Sequence, residues 1–423
     1  MEVFADSKNS EEFLASSKTL VFADLHIHSR HSRATSKNLT IDNLEKWARV
    51  KGVDLLGTGD LQHPLWRKEI DEKLVEDDKG ILRTKTGFPF IWQTEISLMF
   101  SDGKKRRAVH IVVLVPNRAA ADKFTDYLKS KGRIDYDGRP IFGIKADDFV
   151  RDLKKIDDKI EVIPAHCMTP WFGLFGSDTG FDSLKECFGD ELKNIYAVES
   201  GMSADPAMLW RLKEKVNIVS FSDSHSFWPW RLGRELTILD LDELSYDKII
   251  DAIRTGKGLK GTIETPPEYG KYHFDGHRNC NFSSSPQETK KLGGICPVCK
   301  KPLTIGVEYR IEELAKEKEG YKPENGKMYY KLIPLHELIA LNIESKPETK
   351  KSWAIYDNLI ALFGNELNIL LRVSKDEMIE KKVDEKLIEL IMLNREGKIK
   401  VKPGFDGEYG KVLSDSDKQA KLL

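Results

Sequence analysis

The stretch Leu20-Val21-Phe22-Ala23-Asp24-Leu25-His26-Ile27-His28-Ser29 decides how the rest of the chain is read. It opens with a short apolar run, the pattern of a strand buried on both faces. Side chains alternate along a strand, so His26 and His28 leave on the same side and two imidazoles emerge together where the strand ends. A His-x-His pair by itself is weak evidence for a metal site. Here it has company: Asp60, Glu95, His110, His166, Asp223 and His225 stand in, at or just after the ends of other strand-like apolar runs.

Those runs are Leu20–Asp24, Val53–Thr58, Phe88–Ser97, Ala108–Val115, Ile160–Ala165, Ile195–Glu199 and Val216–Ser220. They alternate with helical stretches at Thr40–Lys51, Ala119–Ser130, Lys145–Ile156, Asp205–Lys215 and Ser245–Thr255, where Asp42 and Asp205 suit helix N-termini. Alternating βα units predict a mostly parallel α/β sheet or barrel, whose chemistry gathers at the carboxyl ends of the strands. His110 fits this least well, because it lies early in its run.

At 423 residues the chain is long for one domain. With 40% hydrophobic and 32% charged residues and a net charge of −1, it reads as a globular protein and not a polycation. Any contact with nucleic acid must therefore come from local patches. The Lys/Glu/Asp bias and scarce Gln lean towards hyperthermophile proteins. No run reaches the roughly 20 apolar residues of a membrane span, and the start lacks the pattern of a signal peptide, so a cytoplasmic location is expected. Five cysteines argue against a disulfide framework.

Imidazole and carboxylate ligands suit Zn, Mn or Fe, with Mg a further candidate, and a carboxylate such as Glu95 can bridge two ions. So many ligands predict two or three divalent metals, able to activate a water and to neutralise phosphate oxygens. The motifs Asp24-Leu-His26-Ile-His28-Ser29, Thr58-Gly59-Asp60, Glu95, His110, His166 and Ser222-Asp223-Ser224-His225 resemble those of the polymerase-and-histidinol-phosphatase (PHP) family of metal-dependent phosphoesterases. The resemblance implies a distorted (β/α)7 barrel over residues 20–262 with a trinuclear site. It implies that His26, His28, Glu95 and Asp223 hold one metal, that Glu95 bridges to a second held by His110 and His166, and that Asp60 and His225 help hold a third. The family usually has Thr-Asp-His where this chain has Thr58-Gly59-Asp60, which makes the third position the departure. Glu95, Asp223, His225 and Glu199 are the catalytic candidates. His31, His63 and Glu199 also suit positions behind the ligands.

Residues 1–19 form a polar lead-in, residues 263–310 break the βα rhythm, and residues 311–423 turn mainly helical, with Val401–Tyr409 a loop or short hairpin. The middle segment carries His277-Arg-Asn-Cys280 and Cys296-Pro-Val-Cys299. Two pairs at this spacing, with Pro and Gly around the second, predict one structural zinc, with His273 an alternative to His277. Cys167 and Cys187 read as buried thiols.

Two aromatic clusters, around Trp171-Phe172-Gly-Leu-Phe175 and Phe227-Trp228-Pro-Trp230, follow proposed ligands. They suit either packing or base stacking. Arg231 and Arg234, with Lys104–Arg107, Lys290–Lys291 and Lys300–Lys301, suit phosphate contacts. The order of these pieces, with Lys271-Tyr-His-Phe-Asp-Gly-His277-Arg-Asn-Cys280 and Thr35-Ser36-Lys37-Asn38-Leu39, resembles the endonuclease Q family of DNA-repair enzymes over nearly the whole chain. That resemblance implies metal-dependent hydrolysis, by hydroxide attack, of the phosphodiester 5′ to a deaminated base (uracil, hypoxanthine, xanthine) or an abasic site. The lesion nucleotide would be flipped out of double- or single-stranded DNA, and the helical region would grip it. A sliding clamp is a further candidate partner, although Lys411–Leu423 carries no convincing clamp-binding motif. The competing readings are a small-molecule phosphatase of histidinol-phosphate type, a non-catalytic DNA-binding scaffold and an exonuclease-like enzyme.

Overall fold

The computed structural model describes residues 20–413; the lead-in at 1–19 and most of the stretch read for a clamp motif lie outside them. Ten strands organise the chain: β1 (Leu20–Asp24), β2 (Leu55–Gly57), β3 (Pro89–Asp102), β4 (Lys105–Val115), β5 (Glu161–Pro164), β6 (Ala197–Glu199), β7 (Asn217–Val219), β8 (Leu236–Asp240), β9 (Leu259–Glu264) and β10 (Met328–Lys331). The central sheet runs β10-β9-β8-β1-β2-β3-β4-β5, with short strands added alongside. β6 and β7 form a separate parallel pair. That pair is tied to the end of β5 by Cys167 N–H donating to Glu199 O (2.9 Å), and to β8 by Ser220 N–H donating to Thr237 Oγ1 (3.0 Å).

Each strand divides its side chains between two cores. Ala23, Leu55, Ile91, Val112, Leu114, Ile163, Ala197, Val219 and Leu239 belong to one cluster. Their sequence neighbours Phe22, Leu56, Phe90, Trp92, Val113, Val162, Val198 and Ile238 belong to the other, which also packs the helices. Burial on both faces explains the continuous apolar runs.

The expected parallel order is corrected in several places. β1 and β2, β2 and β3, β6 and β7, and β9 and β10 pair in parallel. β3 and β4, β4 and β5, β1 and β8, and β8 and β9 are antiparallel. The cause at β3–β4 is local: Asp102 pairs with Lys105, so only Gly103 and Lys104 make the turn, and Gly103 supplies the positive φ (59°) that such a hairpin needs. The helical stretches at 40–51, 119–130, 145–156 and 245–255 form close to their expected bounds. Thr40, Asn117 and Ser245 cap three of them. Asp205 caps a helix that ends at Trp210, and Lys213 beyond it has φ 55°, outside the helical region. The stretch 375–394 forms two helices and not one, because Lys382 adopts φ 57° and Asp384 caps a fresh start.

The later part of the chain is helical as expected, with Leu335–Asn342, Lys350–Phe363, Glu366–Leu371, Lys375–Glu380 and Glu385–Arg395. It also supplies β10 to the central sheet, and Val401–Lys402 pairs with Lys411–Val412 as a hairpin. A buried ion pair anchors these helices: Lys51 Nζ lies 2.6 Å from Glu366 Oε1 and donates to Pro229 O (2.7 Å). Glu366 also accepts from Leu335 N–H (2.9 Å) and Tyr356 Oη (2.8 Å). Among the described residues no helix is long and apolar enough to cross a membrane. Replacing Lys51 by Ala should cost about 3–5 kcal/mol in urea unfolding, because it leaves a buried carboxylate without its cation; a loss under 1 kcal/mol would mean that the pair is not closed in solution.

Candidate metal centre and cleft

Glu95 continues the inward-facing row Ile91, Gln93 of β3, His110 the row Leu114, Val112 of β4, and Glu199 follows Ala197 on β6. The antiparallel register resolves the odd position of His110. It sits opposite Ser97, so the start of β4 lies at the same end of the sheet as the finish of β3. His26 and His28 follow β1, and their segment is tied to the Asp223 loop. His28 N–H donates to Ser224 O (3.1 Å), while Asp24 accepts from Ser222 N–H (2.9 Å) and Gly233 N–H (3.0 Å). Asp60, His166, Phe172 and Asp223 all have positive φ (40°, 29°, 65° and 46°). Strained backbone of this kind concentrates where side chains are aimed for function.

The side chains gather into two donor groups that share Glu95: His26, His28, Glu95 and Asp223, and Glu95, His110 and His166, with the ligand atoms of each group within 4.8 Å of one another. In the first, His28 Nε2 lies 3.0 Å from Asp223 Oδ1 and 3.1 Å from Glu95 Oε2, and His26 Nε2 lies 3.5 Å from Glu95 Oε2. In the second, Glu95 Oε1 lies 2.8 Å from His110 Nδ1 and 3.2 Å from His166 Nε2.

This chemistry fits metal ions. His26 Nδ1 faces Glu199 (2.9 and 3.0 Å to its two oxygens) and His28 Nδ1 faces Asp60 Oδ1 (3.1 Å). Each carboxylate accepts the Nδ1–H hydrogen bond and so aims Nε2 inward, as behind metal-bound histidines. His26 Nε2 is buried and has no hydrogen-bond partner. Burial opposes charge on His26, yet Glu199, Glu95 and Asp223 outweigh it and raise its pKa well above the ordinary value. The same field favours a cation. Burial likewise opposes ionisation of Glu95, but Arg139, His110 and His26 hold its pKa well below the carboxylate range.

Other expected residues lie elsewhere. Asp60 Oδ2 accepts from Ser29 N–H (2.7 Å), Ser29 Oγ (2.5 Å) and Ser32 Oγ (2.9 Å) while Oδ1 faces His28, so Asp60 orients His28 and joins neither donor group. Among the described residues no third group forms around Asp60 and His225. His225 stands at the rim, its ring 4.5 Å from that of His28. Glu199 is fully buried and, besides His26, accepts the His166 N–H (2.7 Å), a positioning role. His31 and His63 stack on each other at 4.4 Å, outside both donor groups. His277, Cys280, Cys296 and Cys299 form a third donor group, with His277 Nδ1 3.2 Å from Cys280 Sγ and 3.3 Å from Cys299 Sγ. His273 is not in it and stacks on Phe274. Cys167 and Cys187 are buried.

A cleft of about 730 Å³ opens over His110, His166, Asp223 and His225. Trp171, Phe172, Tyr272 and Tyr409 line it, with Arg231, Arg234 and Lys271. Trp171 stands edge-on to Tyr272 at 5.3 Å, and Lys271 lies 4.6 Å from the centre of the Tyr409 ring. Phe175 and Trp228 are not at this surface. Phe175 is buried and its carbonyl accepts from Arg310 Nε (3.0 Å). Trp228 stacks on Trp230 (5.5 Å) and packs against Trp47 and Trp353, because the apolar faces of the helices at 41–51 and 350–363 need covering. Arg107 is likewise structural, bonded to Gly180 O and to Glu186 (2.7 Å). Sequence reasoning missed Arg139, Ser29, Ser32 and Tyr409. Arg139 and Tyr409 lie in segments without periodicity, and the two serines are recognisable only once Asp60 is seen between them.

Residues 334–398 match the MJ0043 C-terminal domain family. The chain is 35% identical over 277 residues to protein MJ0043 of Methanocaldococcus jannaschii, covering 63% of this chain and spanning about a third (34%) of that protein's length. It is 27% identical to YqxK of Bacillus subtilis, over 93% of this chain and 99% of that one. The structure matches the lesion-specific endonuclease Q of Pyrococcus furiosus with a TM-score of 0.83 at 30% identity, covering 93% of this chain and 95% of that chain. It matches equally (TM-score 0.83, 30% identity, 94% and 97% covered) an endonuclease Q bound to a 27-mer duplex with an abasic lesion at the active site. With that identity maintained over nearly the full length of both chains, this protein belongs to the endonuclease Q family.

Proposed function

We propose that this protein is a DNA-repair endonuclease that hydrolyses the phosphodiester on the 5′ side of a damaged nucleotide, either a deaminated base (uracil, hypoxanthine or xanthine) or an abasic site. The observation that carries this reading is the pair of donor groups joined through Glu95 beneath a cleft walled by aromatic rings and cations. The endonuclease Q structure with an abasic duplex supports the substrate class.

His26, His28, Glu95 and Asp223 would hold one divalent ion, and Glu95, His110 and His166 a second. Asp60 and Glu199 keep the imidazoles in the ligating tautomer. Bound there, the ions supply an activated water and neutralise phosphate oxygens. His225, at the rim, faces the entering phosphate. Trp171, Phe172, Tyr272 and Tyr409 offer ring faces to a nucleotide lifted out of the helix, where stacking recovers part of the cost of unpairing. Arg231, Arg234 and Lys271 contact backbone phosphates. In this reading residues 20–262 are a PHP-type barrel, residues 263–310 a zinc-stabilised module, and residues 311–423 a helical region that grips the duplex.

The primary test is a nicking assay on duplexes carrying one uracil, hypoxanthine, abasic site or normal base, with Mg²⁺, Mn²⁺ or Zn²⁺. Cleavage directly 5′ of the lesion, absent with normal DNA and with Glu95→Ala, is expected, and Glu95→Ala should still bind lesion DNA. Turnover retained by Glu95→Ala would sink the bridging role, and release of phosphate from small esters without nicking would favour the phosphatase reading. Trp171→Ala should weaken lesion binding by about 1–3 kcal/mol, with little change on undamaged DNA; equal losses on both would make Trp171 a packing residue. Cys296→Ala should lose the zinc of the 263–310 module by elemental analysis, whereas His273→Ala should keep it.

A further inference from the structure

The loop between the helix Arg118–Lys131 and the short strand at Ile141 is fastened to the loop after β1. Gly138 N–H donates to His31 O (3.0 Å), and Gln62 Nε2 donates to Gly138 O (2.6 Å). Asp137 accepts from the backbone of Arg33 (3.3 Å) and of Arg139 (3.1 Å), and pairs with the Arg33 guanidinium (3.1 Å). Gly138 lies flat against Asp60: a Cβ there would stand 2.1 Å from Asp60 Oδ2 and 2.3 Å from Ser32 Oγ. Only glycine allows so close an approach. The next residue sends its guanidinium into the centre, where Arg139 Nη1 donates to Glu95 Oε2 (2.9 Å) with 27% of the side chain exposed.

Compensation of the buried Glu95 carboxylate accounts for only one of the guanidinium's N–H donors. Both oxygens of Glu95 already face imidazoles of the two donor groups. Two divalent ions there would be balanced by Glu95, Asp223, Asp60 and Glu199, so Arg139 adds a positive charge to a centre already neutral. A phosphodiester brings one negative charge. The guanidinium has five N–H donors in a planar fork. Among the described residues its one hydrogen bond is to Glu95, so the remaining N–H donors of the partly exposed side chain have no protein partner.

We infer that Arg139 is a further catalytic residue of the reaction proposed above. One N–H fixes Glu95 across the two donor groups, and the remaining N–H donors bind a non-bridging oxygen of the scissile phosphate. Each carboxylate oxygen has two lone-pair directions, so Glu95 Oε2 can face a metal and accept from Arg139 together. Arg139 exchanges no proton. It opposes the charge that grows on the phosphoryl oxygens as the bond to the leaving 3′-oxygen breaks. The Asp137-Gly138 turn is the positioning device, since it couples the guanidinium to the same Asp60 that orients His28.

The inference rests on the endonuclease reading, and its test separates the two. Wild type, Arg139→Ala and Arg139→Lys would be compared in single-turnover cleavage of an abasic duplex, with metal content by elemental analysis and with guanidinium chloride added at concentrations too low to unfold the protein. Arg139→Ala should keep its metal and its DNA binding while the rate falls about 10²–10³-fold. Added guanidinium should restore part of that rate and leave wild type unchanged. Arg139→Lys, which keeps charge but not the fork, should remain well below wild type. A rate for either variant within a few-fold of wild type, loss of metal from Arg139→Ala, or absence of guanidinium rescue would overturn the phosphate contact while leaving the endonuclease reading intact. An inactive wild type on every lesion duplex would overturn both.

Discussion

Buried carboxylates are the constraint on which the rest of this structure depends. Asp60, Glu95 and Glu199 are fully buried at one end of the central sheet, and each must be met by hydrogen bonds or positive charge. The chain meets them with histidines. Glu199 and Asp60 take the Nδ1 side of His26 and His28, which turns the Nε2 lone pairs towards Glu95 and Asp223. Hydrogen bonding at Nδ1 therefore aims both Nε2 atoms into the donor group, the orientation a metal centre would need.

The sheet makes that convergence possible through its mixture of directions. The parallel pairs β1–β2 and β2–β3 carry His26, His28, Asp60 and Glu95 to one end of the sheet. The hairpin between β3 and β4 then returns the chain, so His110 reaches the same end from the opposite direction. One face of each strand is spent on the apolar interior, and the site is the continuation of that same face. Packing and chemistry thus share one alternation of side chains. Positive-φ backbone at Asp60, His166 and Asp223 completes the aim.

The helical part of the chain is welded to the sheet region. Lys51 and Glu366 meet in the interior, and Trp47, Trp228, Trp230 and Trp353 pack as one cluster. β10 extends the sheet, and the hairpin at 401–412 brings Tyr409 to the cleft. Residues from distant parts of the chain therefore wall a single cavity.

The sequence by itself determined the buried strands, the main helices and most members of the donor groups, because alternation and metal-binding side-chain types are local properties. It gathered His26, His28, Asp60, Glu95, His110, His166, Asp223 and His225 as candidates for one site, and His277 or His273 with three cysteines as candidates for another. Only the tertiary structure decided strand direction, which at β3–β4 depends on a turn at Gly103 that periodicity does not register. It also decided that Asp60 orients His28, because the two serines that saturate its carboxylate become meaningful only in space. Trp228 and Trp171 have the same local character, yet one is covered by helices from residues 41–51 and 350–363 and the other is left facing the cleft. Arg139 stands in an aperiodic loop, and its place beside Glu95 follows from a glycine pressed against Asp60. Long-range packing of this kind has no signature in local sequence, since it depends on which surfaces meet when the chain closes on itself.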